Sequence, residues 1–351
     1  MNKYIAIMAG GVGSRFWPSS TNERPKQFLD ILGVGKSLIR MTFERALKLV
    51  HADHVFIVTN KKYKALVMEH LPELPKENIL CEPSMNNTAP CIAYTALRIN
   101  ALDPNAVFAV LPSDHVILKE EEYVSKLSQA FDFATSHEAI VTLGIQPTRP
   151  DTGYGYINYQ KETIGNEQIH KVISFKEKPD LATAETYLES GDYLWNAGMF
   201  VWSVPTILKS YKINAPQILD VLMQQNALYG TSDEQAYIDA VYPDTQKISV
   251  DYAILERADN VYTIPADIGW SDLGTWNSLH AYMSDGNDAV SVGQNIHLID
   301  AKDIIVISNN DKQIVIKGLK DYIVVDEENA LLIYPKSDEQ EIKGVVQKFV
   351  L

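Results

Sequence analysis

The sequence predicts an α/β fold in which a mostly parallel sheet carries helices on both faces and is followed by a small β-rich domain. Three observations support this prediction. Short apolar runs alternate with segments of helical spacing in the first part of the chain, which is typical of repeated strand–helix–strand units. Glycines follow the first apolar run directly, at the edge where parallel sheets bind ligands. Towards the C-terminus, short β segments recur at intervals of about 8 to 10 residues, which indicates a β-solenoid.

The apolar runs of the first part are short and continuous, as expected of strands that are buried on both faces. The predicted strands are Tyr4–Met8, Val55–Thr59, Ile79–Glu82, Ala106–Leu111, Ile140–Leu143 and Val261–Pro265. The segments of helical spacing begin at capping residues and end near proline or glycine. The predicted helices are Ser37–Val50, Lys61–Leu71, Thr88–Ala101, Glu121–Ser136, Ala182–Ser190, Pro205–Leu228, Asp233–Val241 and Gly274–Met283. The stretch Thr152–Trp202 is richer in strands.

The polar run Ser284–Asn287 interrupts this pattern and predicts a domain boundary, with one domain over residues 1–286 and a β-rich domain over residues 287–351. The β segments of the second domain are Ile296–Ile299, Ile304–Ser308, Ile314–Lys317, Tyr322–Asp326 and Ala330–Tyr334. The stretch Asp338–Phe349 has helical spacing and is predicted to cap them. Because no acid–base or phosphate-binding groups converge in this sequence, we expect the second domain to support folding or subunit contact.

Composition excludes several classes of protein. The chain has 351 residues and a formal net charge of −14, a field that would repel nucleic-acid backbones and anionic lipid surfaces. Hydrophobic residues make up 46% and charged residues 22%, as in packed domains and unlike disordered chains. Cys81 and Cys91 are too few for a disulfide framework and fit a reducing compartment. We therefore expect a cytoplasmic protein with no nucleic-acid and no membrane partner.

The glycine-rich segment after the first strand is the strongest local signal. Gly10, Gly11 and Gly13 permit positive φ and bring backbone N–H groups close to an anion. Arg15 and Lys26 add a guanidinium and an ammonium group within the next few turns. The segment therefore suits a triphosphate, and a plain turn between strand and helix is the alternative.

Two other phosphate-binding motifs do not match the chain. A dinucleotide-binding fingerprint that starts at Gly11 would need its third glycine where Phe16 stands. The run Gly33–Ser37 looks like the end of a P-loop, but Asp30 occupies the position of its first glycine and no strand precedes it. The glycines therefore belong to neither of these two motifs.

Two aspartates far apart in the sequence are candidate metal ligands. Asp114 follows a buried strand, where a carboxylate is placed to hold a divalent cation on phosphate oxygens. Asp272 stands before a predicted helix and would supply a second carboxylate. The alternative for both is that they cap the helices that follow them.

Four further segments carry polar groups suited to a sugar or a base. Glu177 and Lys178 end a predicted strand, where a carboxylate accepts from sugar hydroxyls and an ammonium neutralises a sugar phosphate; a solvated charge cluster is the alternative. Asn196 lies among aromatic residues and needs partners for both amide ends, one of which a sugar hydroxyl can supply. The turn Tyr154–Tyr156 would bring backbone close to a sugar, unless it is an ordinary β turn. The loop Glu82–Pro90 has a carboxylate and backbone carbonyls that could accept hydrogen bonds from a base.

Several of these segments form an ordered series of motifs. The series is Gly10–Pro18, Pro25–Leu29, Glu82–Pro90, Leu111–His115, Pro147–Ile157, Phe175–Pro179, Trp195–Phe200, Val250–Ala253 and Gly269–Trp276. In this order they resemble the sugar-1-phosphate nucleotidyltransferases, and within that family the bacterial mannose-1-phosphate guanylyltransferases (GDP-mannose pyrophosphorylases), over about residues 1–280. Phe16 and Ser19 stand where leucines are more usual, and Lys176 stands where a valine is. None of these departures removes a charge that the chemistry needs.

The resemblance implies a Rossmann-like nucleotidyltransferase sheet, Mg²⁺ as cofactor, and GTP and mannose 1-phosphate as substrates that give GDP-mannose and diphosphate. It implies that Asp114 and Asp272 bind the metal. Its catalytic residues would be Arg15, Lys26, Asp114 and Asp272. Its nucleotide-binding residues would be Gly10, Gly11, Gly13, Ser14, Glu82, Asn87, Thr88, Ala89 and Ser113. Its sugar-phosphate-binding residues would be Tyr154, Gly155, Glu177, Lys178, Asn196 and Gly198.

Two alternatives stay open. The chain could perform the same chemistry with another sugar 1-phosphate or nucleotide, or it could be a non-catalytic regulatory subunit that binds nucleotide sugars. Loss of Lys26, Asp114 or Asp272 would mark such a subunit, and all three are present. A phosphomannose isomerase activity is disfavoured because the sequence shows no metal-binding tail of the cupin type. We expect a homodimer.

Overall fold

The structure is a computed structural model that describes residues 2–164, 168–284 and 289–349. By their contacts the residues group into two compact units. Unit 1 comprises Met1–Gly10, Phe43–Pro112 and Ile117–Trp270, and unit 2 comprises Gly11–Thr42, Ser113–Val116 and Ser271–Leu351. The predicted boundary at residues 286 and 287 lies outside the described residues. None of the described helices is long and apolar enough to cross a membrane.

The strands and helices of the described residues follow the predicted order. The strands are β1 (Lys3–Ala9), β2 (Val55–Asn60), β3 (Ile79–Glu82), β4 (Val107–Pro112), β5 (Val116–Ile117), β6 (Ile140–Ile145), β7 (Gly155–Thr163), β8 (His170–Glu177), β9 (Tyr193–Ser203), β10 (Val261–Pro265), β11 (Trp270–Ser271), β12 (Ala289–Val292), β13 (Ile296–Ile299), β14 (Ile304–Ser308), β15 (Ile314–Lys317), β16 (Tyr322–Glu327) and β17 (Ala330–Pro335). The helices are α1 (Leu38–Ala46), α2 (Lys64–His70), α3 (Thr88–Leu102), α4 (Glu120–Ser136), α5 (Leu181–Ser190), α6 (Val204–Asn214), α7 (Pro216–Leu222), α8 (Glu234–Val241), α9 (Trp276–Met283) and α10 (Ile342–Phe349). A π-helical turn spans Asp251–Leu255.

Unit 1 is built on a sheet whose described strands lie in the order β3-β2-β1-β4-β9-β6-β10-β8-β7. β1 pairs in parallel with β2 and β4, and β2 pairs in parallel with β3. The carboxyl ends of these four strands therefore meet at one edge, where Gly10 and Glu82 lie. β9 runs antiparallel to β4 and β6, and β7 runs antiparallel to β8 and β9, so the sheet as a whole is mixed. Strands that follow each other closely pair as hairpins, whereas parallel neighbours need a long crossover.

The predicted helical stretch Pro205–Leu228 is interrupted at a proline. α6 ends at Asn214 and α7 starts at Pro216, and the last predicted turn is the 3₁₀ turn Asn226–Leu228. Proline lacks an N–H and clashes with the turn before it, so it starts a helix more readily than it continues one. Two short helices therefore replace one long helix in this part of unit 1.

Unit 2 joins two distant parts of the sequence in one hydrophobic core. Phe16 and Leu29 come from the glycine-rich segment and the residues after it, whereas Leu273 precedes α9 and Trp276 is its first residue. The rings of Phe16 and Trp276 meet edge to face, with 4.7 Å between their centroids. The other buried members of this core are Ile31, Leu38, Val116, Leu279, Val290, Ile305, Ile307, Ile323, Val325, Leu332, Ile342 and Val346. The β-rich end of the chain therefore shares its core with residues that lie far upstream.

The C-terminal strands form a solenoid, as the spacing of the β segments predicts. β12, β14 and β16 are neighbours in parallel, β17 closes this sheet in antiparallel, and β13 pairs in parallel with β15. Left-handed backbone occurs at corner residues such as Asn295, Asp300 and Asp321, a conformation that Asn and Asp tolerate better than other side chains with a Cβ. β12 is absent from the sequence prediction. The predicted terminal helix begins with the 3₁₀ turn Lys336–Glu341 and continues as α10.

Candidate active site

The residues predicted for the phosphates and the metal lie mostly in unit 2. The loop Gly11–Lys26, hereafter the signature loop, is closed at its base because the carbonyl of Val12 accepts from the Lys26 N–H at 3.1 Å and from the Ser20 hydroxyl. Gly13 has a φ of 71°, and a Cβ added there would lie 2.5 Å from the Lys26 Cβ. Of the three glycines Gly10, Gly11 and Gly13, only Gly13 uses the left-handed conformation that the sequence analysis considers for all of them.

Other members of the signature loop face outwards. Ser14 and Arg15 belong to a 3₁₀ turn, and the Arg15 side chain is exposed. An added Cβ on Gly11 would meet no described atom within 4 Å, so the backbone is open to a ligand there. This arrangement leaves backbone N–H groups and one guanidinium accessible to an anion.

Lys26 is buried, with 3% of its surface exposed, and its ammonium group has a defined set of acceptors. Its Nζ lies 2.9 Å from Asp114 Oδ2 and donates to the backbone carbonyls of Asp272 at 2.7 Å and Leu273 at 2.9 Å. An ammonium has three N–H bonds, so these partners use all of them. Lys26 thus links the Asp114 carboxylate to the backbone of the Asp272–Leu273 turn, and a direct contact of Lys26 with phosphate remains a prediction.

Asp114 and Asp272 do not cap the helices that follow them, so the capping alternative is wrong. The residue at the N-cap of α4 is Lys119, and that of α9 is Thr275, which forms a capping box with Ser278. The Asp272 carboxylate instead accepts from the Gly274 N–H at 3.0 Å within its own turn.

The charge state of Asp114 follows from its neighbours. Burial acts to raise the pKa of its carboxyl, but the Lys26 ammonium and His115 outweigh burial, and the pKa lies below its usual value. The carboxylate is therefore ionised at neutral pH. Ser113, the preceding residue, is buried, and its carbonyl accepts from the Thr42 hydroxyl at 3.3 Å.

The two carboxylates fit the donor set of Mg²⁺ bound to a nucleotide. Among the described residues there is no cluster of three or more His, Cys, Asp or Glu side chains that could hold a metal alone. Mg²⁺ commonly takes one or two carboxylates and completes its shell with water and substrate phosphates. Asp114 and Asp272 are therefore the residues that would hold a divalent cation in unit 2.

The residues predicted for the base lie in unit 1. Asn87 has a φ of 70° and caps α3 by accepting from the Thr88 N–H at 2.8 Å. The Thr88 hydroxyl accepts from the Val250 N–H at 2.8 Å, and the Ala89 N–H donates to the Ile248 carbonyl at 3.1 Å. This loop is therefore anchored to residues 248–250.

Glu82 is turned towards the interior of unit 1. It ends β3, is 7% exposed, and accepts a hydrogen bond from the Tyr242 hydroxyl. Burial raises the pKa of its carboxyl to about 7, against hydrogen bonds from Tyr242 and Cys91 that lower it. One carboxylate oxygen lies 3.9 Å from the position of a Cβ on Gly10. Glu82 thus contacts Tyr242 and lies close to Gly10 at the carboxyl ends of the strands. Its predicted contact with guanine stays a prediction.

The residues predicted for the sugar phosphate also lie in unit 1. Glu177 at the end of β8 pairs with Gly155 at the start of β7, and a Cβ on Gly155 would lie 2.6 Å from the Glu177 carboxylate. Lys178 has a φ of 48°, its N–H donates to the Tyr154 carbonyl at 3.2 Å, and its ammonium pairs with Glu177. The Lys178 side chain is 59% exposed, whereas that of Glu177 is 9% exposed. The pair therefore offers an accessible ammonium above a fixed carboxylate.

Asn196 has protein partners at both amide ends. Its Nδ2 donates to Asp251 Oδ1 at 3.1 Å, and its Oδ1 accepts from the Gly198 N–H at 3.0 Å. Gly198 has a φ of 69°, so a residue with a Cβ would be strained there. Both amide ends therefore have protein partners, and the predicted contact of Asn196 with a sugar hydroxyl stays a prediction.

Asp251 is a residue for which the sequence analysis proposes no role. Burial and the nearby Glu177 carboxylate raise the pKa of its carboxyl to about 6. It accepts from Asn196 and so belongs to the same cluster as Glu177 and Lys178. The only signal in the sequence is its place in the motif Val250–Ala253, which by itself does not reveal what the carboxylate touches.

Comparison with known proteins identifies the family. The family model described as nucleotidyl transferase matches residues 5–288, and one described as a MannoseP isomerase/GMP-like beta-helix domain matches residues 293–349. The chain belongs to the nucleotidyl transferase family. The fold class, the C-terminal solenoid and the enzyme class expected from the sequence are thereby confirmed.

Relatives of this nucleotidyltransferase extend over nearly the whole chain. A mannose-1-phosphate guanylyltransferase of Salmonella montevideo is 35% identical over 98% of this chain and 73% of its own length. A crystal structure from Thermus thermophilus, titled mannose-1-phosphate geranyltransferase, is 29% identical, covers 100% of both chains and has a TM-score of 0.90. A structure titled mannose-6-phosphate isomerase, from Helicobacter pylori, is 26% identical over 77% of this chain and 100% of its own, with a TM-score of 0.63.

The raised pKa of Glu82 predicts a pH dependence of stability. The folded protein binds the proton of the Glu82 carboxyl more tightly than the unfolded chain does, and this difference stabilises the folded state. The stabilisation is fully present below about pH 4.5 and is lost as the pH rises through about 7. The variant Glu82→Gln is neutral throughout, so it should gain stability relative to the wild type between pH 5 and pH 8, by roughly 1–3 kcal/mol. Urea unfolding at several pH values measures this difference. The exposed Glu77→Gln is the control, and parallel pH profiles for wild type and Glu82→Gln would contradict the prediction.

Proposed function

We propose that this nucleotidyltransferase transfers GMP from GTP to α-D-mannose 1-phosphate and so forms GDP-mannose and diphosphate. The observation that carries the proposal is the contact of the Lys26 ammonium with the Asp114 carboxylate and the Asp272–Leu273 carbonyls, beside a glycine-rich loop. The contact ties the Asp114 carboxylate to the turn that carries Asp272, in the same unit as the open N–H groups of the glycine-rich loop. The names of the relatives supply the substrates, because the donor set itself suits any nucleoside triphosphate.

The reaction is an in-line displacement. An oxygen of the sugar phosphate attacks the α-phosphorus of GTP, a new P–O bond forms, and the bond to the leaving diphosphate breaks. No covalent enzyme intermediate is formed, so catalysis consists of positioning and charge stabilisation. A divalent cation on Asp114 and Asp272, expected to be Mg²⁺, would offset negative charge on the reacting phosphate oxygens.

The residues of unit 2 would act on the triphosphate. The N–H groups of Gly11, Gly13 and Ser14 would donate to phosphate oxygens, and the exposed Arg15 would balance charge on the leaving diphosphate. Lys26 would act mainly by holding Asp114 and the Asp272 turn in place, because its N–H bonds already have acceptors.

The residues of unit 1 would act on the sugar phosphate and the base. Lys178 would bind the phosphate of the nucleophile, whose approach to GTP is otherwise opposed by like charge. Glu177, fixed against Gly155, would accept from sugar hydroxyls. Asn87 and the backbone of Thr88 and Ala89 would lie on the nucleotide side. The expected homodimer is part of the same proposal.

A panel of substrates tests the proposed function. Diphosphate release is measured with four nucleoside triphosphates against mannose, glucose and galactose 1-phosphates, each with and without Mg²⁺. We expect GTP with mannose 1-phosphate to give the highest kcat/KM. A different best pair would change the substrate assignment, and no release with any pair, while nucleotide sugar binds, would indicate a regulatory subunit. Mannose 6-phosphate alone, followed for fructose 6-phosphate, tests the isomerase alternative.

Lys178→Ala should raise the KM for mannose 1-phosphate far more than the KM for GTP. A charge-assisted contact of roughly 1.5–3 kcal/mol corresponds to about ten- to a hundredfold. The control is Lys176→Ala, which removes an exposed lysine near the end of β8, two residues before Lys178. Steady-state kinetics with each substrate varied in turn gives both constants. Equal changes in the two KM values would remove this assignment.

Asp114→Asn and Asp272→Asn should each lower kcat by orders of magnitude and raise the Mg²⁺ concentration needed for half-maximal rate. Each variant keeps an oxygen ligand but loses one of the two negative charges at the cation. Because both residues act on one ion, the double variant should be little worse than either single variant. Thermal melting controls for the loss of the Lys26 ion pair, and the exposed Asp267→Asn is the matched control. Unchanged metal dependence in both single variants would exclude the metal role.

A further inference from the structure

We infer that the C-terminal solenoid takes part in nucleotide binding, because Glu327 at its last turn holds the signature loop through Ser19. The residues concerned belong to unit 2. This inference rests on the proposed function, since it assigns the signature loop to the phosphates of the nucleotide. Glu327 is thus a positioning residue, which acts on the ligand through Ser19 and the loop backbone.

The contact is a charge-assisted hydrogen bond. The Ser19 hydroxyl donates to Glu327 Oε1 at 2.5 Å, and the Asn309 side chain donates to the same oxygen at 2.9 Å. Asn309 follows β14 and Glu327 ends β16, so two neighbouring strands of the solenoid fix the orientation of this carboxylate. Hydrogen bonds to an ionised acceptor are stronger and more directional than neutral ones.

Ser19 is well placed to control the shape of the signature loop. Its neighbour Ser20 donates to the Val12 carbonyl, which also accepts from the Lys26 N–H, so Ser19 lies beside the closure of the loop. Phe16 is buried in the core that contains solenoid residues, and α10 packs against the turn Ser14–Phe16. The signature loop therefore packs against the C-terminal part of the chain through Phe16, while Arg15 is exposed.

A second set of contacts joins the C-terminal part of the chain to α9, which follows the turn that carries Asp272. The buried Glu339, which follows the solenoid, accepts from the Asn277 N–H at 2.9 Å, and the Asn277 side chain donates to the Lys336 carbonyl at 2.9 Å. Asn277 lies in the first turn of α9, a few residues after Asp272. The C-terminal part of the chain thus holds both the signature loop and the turn that carries Asp272.

The contact depends on the hydroxyl group of Ser19. A leucine side chain at this position would have no group that could donate to Glu327. The hydrophobic core also attaches the solenoid, because it buries apolar residues from both parts of unit 2. The polar contact adds orientation, which a non-directional apolar contact does not provide.

The test uses the full chain and two readouts. The first is equilibrium binding of GTP with Mg²⁺ by calorimetry, and the second is the pair of KM values. We expect Glu327→Ala to weaken GTP binding and raise the KM for GTP by about three- to tenfold, the loss of one hydrogen bond, while the KM for mannose 1-phosphate changes less than twofold. Glu327→Gln keeps an acceptor for both donors and should restore most of the affinity. Ser19→Leu should match Glu327→Ala, and the double variant should be no weaker than either.

The matched control is Glu328→Ala, which removes an exposed glutamate one position along the same turn. If GTP binds equally to wild type and to Glu327→Ala, the inference is overturned. It is also overturned if both KM values and the melting temperature change together, because a purely structural role would produce that pattern. A wild-type protein that binds GTP but transfers nothing would contradict the proposed function and leave the binding experiment able to decide this inference.

Discussion

A buried ammonium group needs acceptors around it, because moving a charge out of water is costly unless the charge is paired. Lys26 meets this condition with one carboxylate and two backbone carbonyls from two segments far apart in the sequence. A conformation that separated Asp114 from the Asp272–Leu273 turn would leave the ammonium unpaired. The same constraint requires glycine at position 13, where the Lys26 stem occupies the space of a Cβ. The geometry of the predicted metal carboxylates therefore depends on one lysine.

Unit 2 shows how a loop rich in glycine can be held in one conformation. Gly13 and its neighbours restrict the backbone weakly, so the shape of the signature loop must come from its surroundings. The surroundings are Lys26 on one side and the shared core with Trp276 and the solenoid on the other. The solenoid is thereby more than an appended domain, because its apolar residues complete the core on which the loop lies.

The polar residues that the sequence motifs single out have different surroundings in unit 1. Glu82 and Asn196 are held by hydrogen bonds within unit 1. Asn87 and Lys178 also have protein partners, Thr88 and Glu177, but both are exposed. The buried carboxyls of Glu82 and Asp251 have raised pKa values because burial disfavours their charged forms. Stability and ligand binding in unit 1 are therefore expected to respond to pH near neutrality, in addition to any titration of the substrates.

The sequence alone determined the order of strands and helices, the glycine-rich turn, the solenoid and the family, because apolar periodicity and local motifs depend on neighbouring residues. It also indicated Asp114 and Asp272 as candidates. Only the tertiary structure decided that Lys26 links the Asp114 carboxylate to the backbone of the Asp272 turn and that neither aspartate caps a helix. It also decided that Glu82 faces the interior and that Ser19 contacts Glu327. These are contacts between residues distant in sequence. No local pattern encodes them, since they depend on how the whole chain satisfies its buried charges and packs its core.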